Sequence, residues 1–149
     1  MISFESDYNN GMLPEIIENL SKTNDDKTSG YGFDPYSESA KKKIRKAIGN
    51  EEADVYFLIG GTQTNTTVID SLLLGCEGVI CVETGHIEVH ESGAVEAFGH
   101  KVLTIPSADS KLKAADLADY METFLGDETH PHMVQPGMVY ISLPTELGM

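Results

Sequence analysis

The apolar run from Val55 to Ile59 ends directly at Gly60-Gly61-Thr62, and this junction constrains the fold more than any other part of the chain. The run predicts a buried strand, and the residues after the glycines predict a helix. The first N–H groups of such a helix lack intrahelical acceptors and converge on one point, which suits a phosphate group. Glycines also stand at such junctions merely to make the turn, so the residues alone favour phosphate binding and turn formation equally.

Apolar runs alternate with helical patterns through the rest of the chain, which is typical of a parallel sheet covered on both faces. We predict strands over 55–59, 78–82, 101–104 and 137–142, with helices over 63–74, near 90–96 and over about 109–124. Helices over 14–20 and 37–48, separated by a polar loop over 21–30, precede them. The predicted fold class is α/β, with three layers around a mainly parallel sheet.

Ligands of such sheets collect at the carboxyl ends of the strands. The segments predicted to lie there are Gly60-Gly61-Thr62, Thr84-Gly85-His86 and Ser142-Leu143-Pro144. His86 and His90 are four residues apart, as in a helical zinc pair, but no convincing third ligand accompanies them. We therefore expect no metal site.

The charge and the apolar pattern of the chain limit the partners and the compartment that we expect for it. Ten Lys and Arg residues stand against 24 Asp and Glu residues, a net charge of −14 that repels nucleic acid and anionic membrane surfaces. No apolar stretch approaches the ~20 residues of a membrane span, and the start of the chain is unlike a secretory signal. We expect a cytoplasmic protein in which Cys76 and Cys81 are buried thiols rather than a disulfide.

Several motifs, in this order and spacing, resemble the amino-terminal half of the low-specificity threonine aldolase and β-eliminating lyase family. They are Ser6-Asp7-Tyr8, Gly11 to Ile16, Tyr31 to Tyr36, the Gly60-Gly61-Thr62 turn, Gly85-His86-Ile87, His90 to Ala94 and Gly99-His100-Lys101. The resemblance covers essentially the whole chain but about half of such an enzyme. It implies part of the large domain of the aspartate-aminotransferase-like fold, with residues 1–50 as a helical arm and loop and 51–149 as a partial cofactor-binding domain.

The resemblance also implies roles for individual residues, with pyridoxal 5′-phosphate as the cofactor. Gly61 and Thr62 would hold the cofactor phosphate, and Gly60 would permit close backbone approach. His86 would lie flat against the pyridine ring. Ser6 would contact the substrate carboxylate, and Tyr31 would lie at a subunit interface within reach of a neighbouring active site, which implies a homo-oligomer.

Each of these residues also has an ordinary structural explanation. His86 could be a histidine satisfied by its neighbours, Ser6 could cap local backbone, and Tyr31 could be a packing residue. Gln63 and Asn65 could contribute to the phosphate seat or be plain first-turn residues of the helix.

The catalytic apparatus that the family needs is incomplete in this chain. Chemistry of this type requires a lysine that bonds the cofactor covalently and an acid that pairs with the pyridinium nitrogen. The segments that carry them in the family are absent, and Ser39-Ala40-Lys41-Lys42 matches the lysine spacing only by chance. The only arginine, Arg45, lies in the basic cluster 41–46, so the usual clamp for a substrate carboxylate is missing too.

The resemblance therefore implies a fragment of a lyase that cleaves β-hydroxy amino acids to glycine and an aldehyde, or performs a related β-elimination. Such a fragment could be a truncated product, a deliberately shortened chain or one part of a split enzyme. We expect the isolated chain to be inactive. A non-catalytic phosphate-binding module and a structural or interaction fragment are the alternatives.

Overall fold

The computed structural model describes residues 9–148, which divide after Phe57 into two compact units, 9–57 and 58–148. Among the described residues no helix is both long enough and apolar enough to span a bilayer. The functional division at residue 50 stays a prediction.

The first unit consists of two helices, α1 (Pro14–Thr23) and α2 (Pro35–Ile48), close to the predicted ranges. α2 begins at Asp34, whose carboxylate accepts hydrogen bonds from the Ser37 N–H at 2.8 Å and the Ser37 hydroxyl at 2.6 Å. These bonds stabilise the ionised carboxyl and lower the pKa of Asp34. The helix ends at Gly49, where φ is 68°, a left-handed conformation that glycine adopts without strain.

The second unit is built on a three-stranded parallel sheet in the order β2-β1-β3. Its elements are α3 (Gly61–Leu72), β1 (Glu77–Val82), α4 (His86–Val89), α5 (Ala94–Ala97), β2 (Val102–Ile105), α6 (Ala114–Gly126), a 3₁₀ turn (His130–His132) and β3 (Gln135–Val139). Val79 of β1 pairs with Val102 of β2 and with Met138 of β3, so β1 is the central strand.

The core lies on both faces of the sheet because successive strand side chains point in opposite directions. Val79 and Cys81 pack with Ile69 of α3, Ile87 of α4 and Val95 of α5. Ile80 of β1 and the partly buried apolar residues of α6 form the layer on the other face. The predicted three-layer α/β architecture is therefore confirmed.

One predicted strand, 55–59, does not form. The segment is irregular, and Tyr56 and Ile59 are 78% and 95% exposed. A strand needs a hydrogen-bonded neighbour, and no strand among the described residues pairs with this segment. The prediction that this apolar run is a buried strand is therefore wrong for this chain.

Two predicted helices have different bounds for local reasons. The helix near 90–96 is two short helices, because Ser92 and Gly93 between them have φ of 55° and 72°. The helix predicted from about 109 begins only at Ala114, because the preceding residues form a polar turn in which the Lys111 N–H donates to the Ser107 hydroxyl at 3.0 Å.

The two cysteines have opposite environments. Cys81 is buried, as predicted, whereas Cys76 is exposed, which corrects the expectation of two buried thiols. Desolvation, with smaller contributions from Glu88 and Glu96, raises the pKa of the Cys81 thiol to about 11. The chain has no disulfide between them.

This contrast predicts selective labelling. At pH 8 an alkylating reagent should modify native wild-type protein only at Cys76, because the Cys81 thiol is buried and protonated. Mass spectrometry after brief labelling should show one adduct in wild type, none in Cys76→Ser, and two in wild type unfolded in denaturant. Rapid native labelling of Cys81 would contradict the described packing.

Gly78 lies where β1 and β2 run too close for a side chain. A Cβ at this position would come within 2.5 Å of the Lys101 carbonyl oxygen. We expect Gly78→Ala to lower the free energy of unfolding by about 2 kcal/mol through overpacking. The matched control is Gly126→Ala, where an added Cβ meets nothing within 4 Å and should raise stability by about 0.5–1 kcal/mol. Urea unfolding of both variants measures the difference, and equal midpoints would contradict the close approach.

Candidate functional site

The first turn of α3 presents open backbone N–H groups. Gly60 is its N-cap and supplies no side chain, so the N–H groups of Gly61, Thr62 and Gln63 have no intrahelical acceptor. The Ile59 N–H, just before the helix, donates to the Gln63 side-chain oxygen at 3.0 Å. Gln63 thus orders the entry into the helix.

The two glycines are not required by the conformation of the turn. Gly60 is extended, with φ of −165°, a conformation open to any residue, and Gly61 is helical. A Cβ on either glycine would meet no atom within 4 Å. The space beside the open N–H groups is therefore free.

His86 is the first residue of α4, which begins four residues after the carboxyl end of β1 at Val82. Gly85 before it lies in a tight space, where an added Cβ would come 3.0 Å from the Cys81 sulfur and from the Val82 carbonyl oxygen. The His86 N–H donates to the Ser142 hydroxyl at 3.3 Å, which ties α4 to the segment that follows β3. Its side chain is 40% exposed, so part of the ring remains accessible.

Two carboxylates flank the His86 imidazole. Nδ1 lies 3.0 Å from Glu146 Oε1, and Nε2 lies 3.7 Å from Glu91 Oε1. Since an ionised carboxylate only accepts, the Nδ1–H donates to Glu146. The other Glu146 oxygen lies 3.6 Å from His90 Nε2, so Glu146 joins both histidines to the end of the described chain.

Glu91 connects this cluster to α3. Its side chain has no solvent exposure, and its Oε1 accepts a hydrogen bond from Asn65 Nδ2 at 2.7 Å. Asn65 belongs to the helix whose first turn carries the open N–H groups. A continuous path, Asn65 to Glu91 to His86, therefore joins two of the segments that the sequence predicts for ligand binding.

A cavity of about 210 Å³ opens beside the cluster at the carboxyl edge of the sheet. Residues from the end of β1, from the turn before α6 and from the segment after β3 line it, Glu146 among them. The hydroxyls of Thr84 and Ser110, both in this lining, are buried and have no hydrogen-bond partner. The cavity lies where sheets of this class bind ligands.

The remaining predicted site residues lie apart from this cluster. Ser6 lies outside the described residues. Tyr31, in the first unit, has φ of 61° and a fully exposed side chain, so packing within the described chain does not explain it. Within residues 9–148 no group of three or more His, Cys, Asp or Glu side chains is arranged to hold a metal ion.

Sequence reasoning assigned no role to Glu91, Glu146 or Ser142. The signal for Glu91 was available in His90-Glu91-Ser92-Gly93, where an acid stands directly before a glycine turn. Ser142 was placed at a strand end but not paired with anything. Contacts of Glu146 with His86, 60 residues away, depend on the tertiary fold and have no local signal.

Comparison with known proteins relates the chain to enzymes. A family model described as "Beta-eliminating lyase" matches residues 3–148. Low-specificity L-threonine aldolases from a Pseudomonas species (strain NCIMB 10558) and from Pseudomonas aeruginosa are 33% and 29% identical over 97% of this chain. The solved structure of Leishmania major threonine aldolase is 41% identical and superposes with a TM-score of 0.88 over 95% of the chain.

The matches cover less than half of each relative's own length. The chain spans 41% of the length of each curated relative and 40% of the Leishmania protein. The fold of the second unit, a parallel sheet with helices on both faces, is thus part of a larger threonine aldolase fold.

Proposed function

The chain belongs to the β-eliminating lyase family, and we propose that it forms the amino-terminal part of a pyridoxal-phosphate lyase of the threonine aldolase type. In the complete enzyme the reaction is cleavage of a β-hydroxy amino acid to glycine and an aldehyde, or a related β-elimination. The observation that carries this proposal is the series of side-chain contacts from helix α3 to His86, in which Asn65 donates to Glu91 and Glu91 Oε1 lies 3.7 Å from His86 Nε2.

The residues present fit the cofactor's phosphate. The open N–H groups of Gly61 and Thr62 lie at the positive end of the α3 dipole, beside free space over both glycines. Donors of this kind bind a phosphate dianion strongly because the hydrogen bonds are charge-assisted. Gly61 and Thr62, with the Thr62 hydroxyl, are the proposed phosphate ligands, and Gly60 keeps the approach open.

His86 is the proposed residue that orients the cofactor ring. Its backbone is tied to Ser142 and its imidazole to Glu146, so the accessible part of the ring is held in a defined orientation. When bound, pyridoxal phosphate supplies an electron sink for the bond that breaks at the substrate α-carbon. This chain contributes binding and orientation to that chemistry.

The other proposed roles concern substrate and assembly. Ser6 is the proposed contact for the substrate carboxylate. The fully exposed Tyr31 suits a contact with a second subunit. The edge strands β2 and β3 have no further strand partner among the described residues, and such edges favour association. A homo-oligomer with shared sites stays a prediction.

Phosphate binding at the α3 turn can be tested directly. Titration with inorganic phosphate should shift the backbone amide NMR signals of Gly61 and Thr62 first. The Gly126 amide, at the far end of α6, is the control and should not move. Thr62→Val removes one hydroxyl donor and should weaken phosphate binding roughly threefold to tenfold. A turn that is unchanged at high phosphate would remove the proposed phosphate site.

Catalysis by the isolated chain is not expected, because no lysine or arginine stands in the context that the family uses. Incubation with pyridoxal phosphate and threonine should release no glycine. Borohydride reduction and peptide mapping would reveal any lysine adduct, and Lys111, which lines the cavity, is the position to watch. A single stoichiometric adduct accompanied by threonine-dependent glycine release would contradict this expectation. Phosphate binding without turnover is also what a non-catalytic binding module would show.

A further inference from the structure

Glu91 is the buried acid of the site, and only one of its two carboxylate oxygens has a hydrogen-bond partner. Its side chain has no exposure, Oε1 accepts from Asn65, and Oε2 is buried without a hydrogen-bond partner. A buried carboxylate with an unpaired oxygen costs stability, because desolvation is not repaid by hydrogen bonds. Stability alone therefore does not explain a glutamate at this position.

The backbone around Glu91 holds the side chain in one place. Ser92 and Gly93 follow it with φ of 55° and 72°, and the Ala94 N–H donates to the Glu91 carbonyl at 3.0 Å. A left-handed serine is strained, and such strain persists only where the surrounding structure imposes it. The turn restrains the backbone of Glu91, and the hydrogen bond from Asn65 of α3 restrains its side chain.

The fixed carboxylate lies beside the Nε2 edge of His86, while Glu146 takes the Nδ1–H. The imidazole thus has an acid beside each nitrogen, from two different parts of the chain: a hydrogen bond to Glu146 at Nδ1 and the Glu91 carboxylate 3.7 Å from Nε2. Rotation of the ring about its Cβ–Cγ bond would break the Glu146 hydrogen bond and move Nε2 away from Glu91. The Glu146 hydrogen bond and the buried Glu91 carboxylate beside Nε2 therefore favour one ring plane.

We propose that Glu91 is a positioning residue for His86, fixing the plane of its imidazole and coupling that plane to helix α3 through Asn65. The significance of the ring plane for a cofactor rests on the function proposed above. The geometry of the Asn65, Glu91 and His86 side chains does not rest on that function. It can therefore be tested in the chain without any ligand.

The first experiment uses the unliganded chain. Side-chain ¹⁵N NMR at a single pH would compare wild type with Glu91→Gln, which keeps an oxygen for Asn65 but removes the charge facing His86. Glu88→Gln is the matched control, because Glu88 is an exposed acid in the same region. His100 is the internal control, because its ring bonds the Glu77 carbonyl at 3.0 Å and lies 3.3 Å from Asp70, away from Glu91.

We expect the His86 ring nitrogens to shift in Glu91→Gln, with His100 unchanged and with no comparable shift in Glu88→Gln. His86 signals that are identical in wild type and Glu91→Gln would overturn the proposal. This outcome does not depend on whether the chain binds pyridoxal phosphate.

The second experiment separates positioning from a general structural role. The affinity for pyridoxal phosphate would be measured in wild type, Glu91→Gln, His86→Ala and the double variant. If Glu91 acts through His86, Glu91→Gln should weaken binding roughly threefold to tenfold in the wild-type background and have no effect in His86→Ala. An equal loss in both backgrounds, or no loss in wild type, would overturn the proposal.

Failure of the proposed function gives a different pattern. If wild type binds no pyridoxal phosphate, that function fails for this chain, and the ¹⁵N shifts of His86 alone decide whether Glu91 positions the ring.

Discussion

The hydrogen bonds of β1 to both of its neighbours organise the whole second unit. Because β2 and β3 both pair with this one strand, its alternating side chains define both apolar layers, and its carboxyl end determines where His86 emerges. The turn after β1 leaves little room for a side chain at Gly85, because an added Cβ would lie 3.0 Å from the Cys81 sulfur. The site is therefore placed by β1, in which five of the six residues are buried.

The parts of the fold that follow from local pattern were predictable from the sequence. Helix α2 has proline in its first turn, an aspartate cap and a terminal glycine, and its predicted bounds differ from the observed ones by two residues at one end. The three strands that form were also predicted, and β1 and β2 are buried apolar runs with bounds within one residue of the predicted ones. The third strand, predicted over 137–142, forms at Gln135–Val139, where it begins in polar and turn residues and is not fully buried.

Prediction failed where the outcome depends on distant residues. Residues 55–59 have the composition of a central strand, but strand formation requires a partner that the described chain does not supply. The pairing of Glu146 with His86 and of Asn65 with Glu91 joins segments 60 and 26 residues apart. No local periodicity encodes these contacts. The family resemblance predicts His86 and the glycine turn as site residues but not the acids that contact them.

The exposed run from Tyr56 to Ile59 has a consequence for the behaviour of the chain in solution. A short, uncharged, β-prone segment without proline matches the composition of segments that stack into cross-β assemblies when they stay unpaired. Proteins with such segments usually guard them with flanking charges, and Glu51, Glu52 and Asp54 stand just before this run. Like charges brought together in a growing stack repel one another, so the three acids oppose stacking of this exposed segment, and high salt weakens that repulsion.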